Sequence, residues 1–418
     1  MQIFKSPELR KKILIVASLL LIFRIFAAIP IPGVDFGKLR MLLNSNQLLG
    51  FFDLFSGGAL SKLSIVMLGV GPYITATIIM QMLTMIFPYL KEIYYEQGEM
   101  GRTKFNRISR YLTIPLAALQ GYGFLNILQS QQILTAHTPA DIFRNVVVIT
   151  AGSVFLVWIG ELISEQKIGN GVSLLIFAGI VDRLPQTIST IYLNYTAAQI
   201  PTYLVFLLLS IVVIAGVVFI NEGERKIPVS YSRRIRGNKM YGGVSSYLPL
   251  KVNQAGVIPI IFAISILLLP QFLAQASAII SPDFSLQFNK LVNSFLNNQA
   301  VYSSVYFFLV VVFTYFYTAV TFDPEEISKN LQRSGGFIPG IRPGEQSGVY
   351  LNKVIHRITL FGAIFLGIIA ILPNIVRIFT GIQALTLGGT GLLIVVAVAL
   401  EVRDQINSQL VMREYEGF

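Results

Sequence analysis

The 418-residue chain contains no cysteine, which removes disulfides, iron–sulfur clusters and thiolate zinc sites from consideration. Its two histidines, His137 and His356, lie far apart in sequence, so histidine-rich metal chemistry has no ligand set to draw on. No HExxH motif, Ser/His/Asp set or phosphate-cradling glycine loop occurs, which argues against an enzyme, a nucleotide site or any cofactor. Charge is scarce too. Asp, Glu, Lys and Arg make up 13% of residues, against about 25% in a soluble domain. Apolar residues take up 54%, too much to hide from water in a single fold, so a bilayer is the expected solvent.

A membrane-crossing helix needs about 20 mainly apolar residues. Ten such runs predict an all-α polytopic membrane protein: 13–32, 63–87, 111–131, 143–163, 168–188, 202–220, 252–276, 302–322, 357–377 and 383–402. The first follows a basic start but lacks a small-residue cleavage site, so it reads as a retained span. The run 168–188 is the least regular, opening on Gly169-Asn170-Gly171 and ending near Asp182-Arg183. Five spans precede the middle of the chain and five follow, a count that suits two inverted five-helix halves, 1–190 and 191–418.

One apolar piece is too short to cross. Leu49 to Leu60 carries Phe51, Phe52, Leu54 and Phe55 and is broken at Gly57-Gly58. It reads as re-entrant or interfacial, entering the protein interior, because irregular backbone at membrane depth needs protein or a water cavity around it.

Orientation follows lysine and arginine. With the N-terminus in the cytoplasm, 24 of the 32 basic residues fall on that side, seven on the other, and Arg24 inside the first span. The net charge of +11 is therefore mostly a property of one face, with both termini on it. Two long segments lie there. In 222–251, alternating apolar and polar residues turn at Gly237-Asn238 and resume at Met240-Tyr241, which predicts a β-hairpin. The other, 323–356, is punctuated by Pro and Gly and reads as a functional loop.

Three transport or membrane classes compete. A proton-coupled transporter would need ionisable residues near the midplane. Here Arg24 is the charge deep in a span, and Glu161 and Glu165, one turn apart, sit at a helix end beside Lys167. A membrane enzyme lacks its motifs. A channel for an uncharged or varied substrate, with docking loops outside, fits best.

The motifs then become specific. IPIPG (29–33), FSGGALS (55–61), GVGPYITATIIMQML (69–83), IGNGVSLLIFAGIV (168–181), LPLKVNQAGVIPIIFA (248–263), PGIRPGEQ (339–346) and GGTGLLIVV (388–396) resemble the SecY/Sec61-alpha family in order and spacing across the chain. The resemblance implies two five-helix halves closing around a polypeptide pore, with a lateral gate into lipid. It places a pore ring at Val70, Ile74, Val172, Ile176, Ile261 and Ile394. It places a short plug helix at about 50–61, with Phe51, Phe52, Leu54, Phe55, Gly57 and Gly58. Gate positions match Gln81 and Asn253. Arg342 and Gly344 match a site that engages the SecA ATPase, and Arg233, Arg234, Arg236 and Lys239 form a second basic tip suited to ribosomal RNA phosphate. The implied partners are SecE, SecG, SecA, the ribosome, signal sequences, unfolded polypeptides and the lipid bilayer. The implied location is a bacterial cell membrane, with a plastid thylakoid as the alternative. A membrane-protein insertase or accessory paralogue of the same fold is the runner-up, and the Arg342 loop argues for full export function instead.

Overall fold

The structure, a computed structural model, describes residues 7–32, 38–39, 53, 56–95, 97–133, 138–193, 200–231, 234–236, 239–241, 245–277, 281–380 and 383–416. Helices dominate it. In chain order they are α1 (Pro7–Ala27), α2 (Gly71–Ile86), α3 (Pro88–Tyr95), α4 (Gly98–Ser130), α5 (Pro139–Glu165), α6 (Gly171–Leu193), α7 (Ile200–Glu222), α8 (Ile258–Ala276), α9 (Pro282–Asn297), α10 (Gln299–Thr321), α11 (Pro324–Arg333), α12 (Glu345–Thr380) and α13 (Gln383–Glu416). Between α7 and α8 lie β1 (Glu224–Tyr231), β2 (Arg234–Arg236), β3 (Lys239–Tyr241) and β4 (Ser245–Lys251), and β5 (Gly336–Phe337) follows α11.

Five helical stretches among the described residues are long and apolar enough to cross a membrane: Gly98–Ser130, Pro139–Glu165, Leu204–Glu222, Gln299–Arg333 and Glu345–Val376. They contain the expected spans 143–163 and 302–322 and overlap 111–131, 202–220 and 357–377. The helices α2 and α3 would form a sixth as a pair, but they are bent by 115°. The bend has a local cause. Phe87 precedes a proline and takes an extended conformation (φ −106°, ψ 110°), as the clash with the proline ring requires. The remaining expected spans, 13–32, 168–188, 252–276 and 383–402, overlap α1, α6, α8 and α13.

Three expectations need correction. The span expected at 63–87 becomes helical only at Gly71, and residues 56–70 fold as successive turns. Leu63, Gly57, Gly58 and Gly69 all have positive φ, which breaks a helix. The backbone there bonds instead to the extended exit from α1, with Ile31 N–H donating to Leu63 O at 2.8 Å and Ile65 N–H to Ile29 O at 3.0 Å. The run 252–276 likewise starts its helix at Ile258, after non-helical residues 252–257. The segment 323–356 is not a plain loop but a helix, a short strand and the first turns of α12.

The chain divides into two compact units. The first comprises Met1–Phe206, Ile264–Tyr302 and Pro373–Phe418. Within it α2 packs on α4, α4 on α5, α5 on α6, and α6 on α13, while α1 touches α5 and α6. The turns at 56–70 are sunk among these helices, with Ala59, Leu60, Leu63, Val66, Met67 and Leu68 fully buried.

The second unit comprises Leu207–Ala263 and Ser303–Leu372. The expected hairpin is present and longer than the sequence suggested. Strands β2 and β3 pair about residues 237–238, and β1 pairs antiparallel with β4 from Glu224↔Lys251 to Ser230↔Ser245. Strand β5 then joins the far edge of β1 through Ser230↔Phe337 and Tyr231↔Gly336. One three-stranded sheet, ordered β4-β1-β5, thus ties the two long segments together. Ile227, Leu250, Ile338, Leu351, Val354 and Ile355 form the cluster beneath it.

Candidate functional site

The expected ring positions are apolar and withdrawn from the surface. Val70, Ile74, Ile176, Ile261 and Ile394 are buried and Val172 is half-buried. Val70 is the residue that starts α2 rather than a member of it, and its carbonyl accepts from Ile74 N–H at 3.1 Å. Val172 is the second residue of α6, where the Asn170 side chain caps the helix by accepting from Val172 N–H (3.0 Å) and Ser173 N–H (3.3 Å). Asparagine at this position satisfies amides that have no partner within the helix, which explains the Gly-Asn-Gly interruption read in the sequence. Ile176 and Ile394 lie on the packed pair α6 and α13, where Gly391 meets Ile180, one turn along from Ile176. Ile261 belongs to the second unit.

Of the expected plug residues, Phe51, Phe52, Leu54 and Phe55 lie outside the described residues. The described end of that segment, Ser56–Leu60, is a buried turn rather than helix. Gly57 (φ +70°) and Gly58 (φ +78°) occupy backbone conformations that glycine adopts without cost.

Gln81 on α2 and Asn253 ahead of α8 are both buried. Asn253 Nδ2 donates to Asn221 Oδ1 at 2.7 Å and to Gly256 O at 3.1 Å. Gln81 Oε1 and Asn253 Oδ1 have no hydrogen-bond partner among the described residues. Buried polar atoms are normally paired, so each marks a place where the packed structure leaves a polar group unused.

The Arg342 loop is held from behind and open in front. Ile341 packs against the hydrophobic cluster of the second unit. Ser347 Oγ donates to Arg342 O at 2.9 Å, and Ser328 Oγ of α11 donates to Gly344 O. Gly344 has φ +99°, and a Cβ there would lie 3.2 Å from Gln332 Oε1. The backbone is pinned while the Arg342 side chain is exposed, as the sequence predicted. Of the second basic tip, Arg233 lies outside the described residues. Arg234, Arg236 and Lys239 lie on β2 and β3, with Arg236 opposite Lys239 in register.

Sequence reasoning missed a group of charges. Arg24 has a carboxylate partner, with Nη1 3.3 Å from Asp182 Oδ2, and Arg183 forms an ion pair with Asp53. Asp182 and Arg183 lie well inside α6 rather than at its end. The pair that the sequence put near the end of the run 168–188 thus sits in the middle of a helix. The signal was present in the adjacent Asp-Arg pair, but its partners sit more than a hundred residues away.

A family model described as SecY matches residues 64–403. The protein translocase subunit SecY of Mycobacterium tuberculosis is 41% identical over 437 residues, covering 99% of this chain and 98% of that protein. The protein of the same description from Thermus thermophilus is 43% identical over 426 residues, covering 99% and 95%. Among solved structures, one described as the structure of a protein conducting channel aligns with a TM-score of 0.65 at 20% identity, covering 95% of this chain and 91% of that one. Sec61 in the canine ribosome-channel complex from the endoplasmic reticulum aligns at 0.62 and 19% identity, with coverage of 95% and 91%. At these identities the solved structures establish a shared fold.

Proposed function

The chain belongs to the SecY family, and we propose that it is the channel-forming subunit of a Sec-type protein translocase. It passes unfolded polypeptides across the membrane, releases transmembrane segments sideways into lipid, and performs no catalysis of its own. The observation that carries this reading is similarity over 99% of the chain to proteins described as protein translocase subunit SecY.

On this reading ten spans form two inverted halves, 1–190 and 191–418, around the pore. Val70, Ile74, Val172, Ile176, Ile261 and Ile394 line its waist. A passenger chain presents every side-chain type, so a waist with fixed hydrogen-bonding groups would trap some of them. Branched apolar side chains offer neither charge nor hydrogen bonds, deform around the passenger, and dewet when empty, which opposes ions. Residues 50–61 close the pore from the far side. Gln81 and Asn253 face the lateral gate, where polar contacts worth about 0.6–2 kcal/mol hold it shut and still yield to a signal sequence. Their unpaired oxygens support this role.

The energy source is external. Arg342 engages the SecA ATPase, and the tip carrying Arg233, Arg234, Arg236 and Lys239 meets the ribosome. SecE and SecG complete the membrane complex. The chain lies in a bacterial cell membrane with both termini cytoplasmic, in keeping with the charge asymmetry and with the bacterial relatives named above. A thylakoid location would apply to a plastid source.

The test is export in vesicles. The chain is purified with whatever small membrane partners it retains and reconstituted with purified SecA and ATP. A secretory precursor should become protease-protected in an ATP- and signal-sequence-dependent manner. Protection that needs neither motor nor signal sequence would overturn the reading.

A further inference from the structure

We propose that Arg24, Asp53, Asp182 and Arg183 form a charge clasp that holds the turn 56–61 against α1 and α6. In this clasp Asp53–Arg183 is the link that must open before the segment can leave. The inference rests on the channel reading for its meaning, because it assigns the clasp to the resting state of the pore.

Both guanidinium groups reach the turn, one from α1 and one from α6. Arg24, from α1, donates through Nη1 to Gly57 O at 2.7 Å and through Nη2 to Ala178 O, with the Asp182 carboxylate 3.3 Å away. Arg183, from α6, pairs with the Asp53 carboxylate and donates to Ser61 Oγ at 3.1 Å. Asp53 in turn accepts from Ser61 N–H at 2.8 Å, and Ser56 Oγ accepts from Leu60 N–H at 3.1 Å. The Asp53 side chain is 3% exposed and that of Arg183 19%, so the link is buried. The two pairs sum to zero, and Asp53, the fully buried member of the four, has its counter-charge in Arg183, without which its burial would be strongly unfavourable.

The chemistry of the contact suits release. Where the turn meets α6, glycine lies on glycine: a Cβ on Gly57 would sit 3.0 Å from Gly179 Cα and 2.9 Å from the Phe23 ring. Where glycine faces glycine no side chains interlock, so directional polar links add to the packing of Phe23 and Leu60 in holding the turn. Such links are strong while dry and weaken when water competes for the charges. A pore that fills with passenger and water would therefore loosen its own clasp.

The chain has no cysteine, so Ser56→Cys provides a single reporter at a buried position. The full membrane complex carrying it is treated with a membrane-impermeant maleimide, alone and combined with Asp53→Asn, Arg183→Gln or both. Asp53→Asn keeps an oxygen for Ser61 N–H and removes the charge. Each single change should raise the labelling rate by at least about tenfold, through loss of a buried partner. The double variant should label no faster than the faster single, because both break one link. Arg183→Lys, which keeps the charge, should label within about threefold of the parent, since it loses the fork and not the ion pair. Lys62→Gln, at a neighbouring exposed position, should leave the rate unchanged. Unchanged labelling in the single variants, effects that multiply in the double, or an equal rise with Lys62→Gln would each overturn the clasp. Precursor export by the unmutated chain is followed in parallel. Coupled labelling without export would keep the clasp and sink the channel reading, and export without coupled labelling would do the reverse.

Discussion

Gly179 of α6 and Gly57 of the buried turn meet backbone to backbone: a Cβ built on Gly179 would lie 2.2 Å from the Cα of Gly57. That distance leaves no room for any side chain. Gly179→Ala must push the turn and the helix apart, and overpacking of this kind costs about 1–3 kcal/mol. The expected outcome is a lower unfolding midpoint and a raised resting ion conductance in bilayers. Gly121→Ala is the comparison, because its nearest neighbour is 3.5 Å away and alanine favours the helix by up to about 1 kcal/mol. Equal behaviour of the two variants would show that the glycine contact carries no sealing role.

The proposed waist makes a separate prediction. Ile74→Gly combined with Ile261→Gly removes two buried branched side chains, one from each compact unit. Single-channel recording of the reconstituted complex should show higher resting conductance than the parent. Conductance that stays at the parental level would remove both residues from the constriction.

The hydrogen bond between Asn253 and Asn221 makes a further prediction. Asn253→Leu abolishes the bond to Asn221 Oδ1 and leaves that oxygen without its donor, at a cost of about 1–3 kcal/mol. It also deletes the unused Asn253 Oδ1. Asn221→Ala breaks the same bond and keeps Asn253. If Asn253 acts at the gate, Asn253→Leu changes the export ratio of weak to strong signal sequences while Asn221→Ala leaves it near the parental value. Matching ratios for the two variants would make the bond a local packing feature.

Arg342→Glu tests the proposed motor contact. The side chain is exposed and its loop is anchored by Ile341, Ser347 and Ser328, so folding stability should shift by less than about 0.5 kcal/mol. Reversing one member of an interfacial charge pair costs at least about 2 kcal/mol, which exceeds a tenfold loss in affinity. SecA-driven export into vesicles should fall accordingly. Lys329→Glu, exposed on neighbouring α11, changes net charge equally and should have a mild effect. Similar defects in both would assign the loss to overall charge rather than to Arg342.

Much of this was legible in local pattern. The scarcity of charge and the long apolar runs already placed the chain in a bilayer, and alternation around Gly237-Asn238 predicted the hairpin that β1 to β4 build. The Pro-Gly punctuation near Arg342 predicted a turn that presents the side chain, because such residues constrain backbone angles wherever they occur.

Tertiary structure decided what depends on partners distant in sequence. Phe337 pairs with Ser230 across a gap that no local periodicity spans. The run after Leu63 is apolar enough for a helix, yet Ile29 and Ile31 take its backbone hydrogen bonds and it folds as turns. Arg24 reads alone as a charge stranded in a span, and Asp182 and Gly57 supply its partners. The sequence determined which segments prefer lipid and which backbone positions can turn, since those are properties of neighbouring residues. Which buried charge finds which carboxylate was settled by packing, because an ion pair forms only where the folded helices bring its members within a few ångströms.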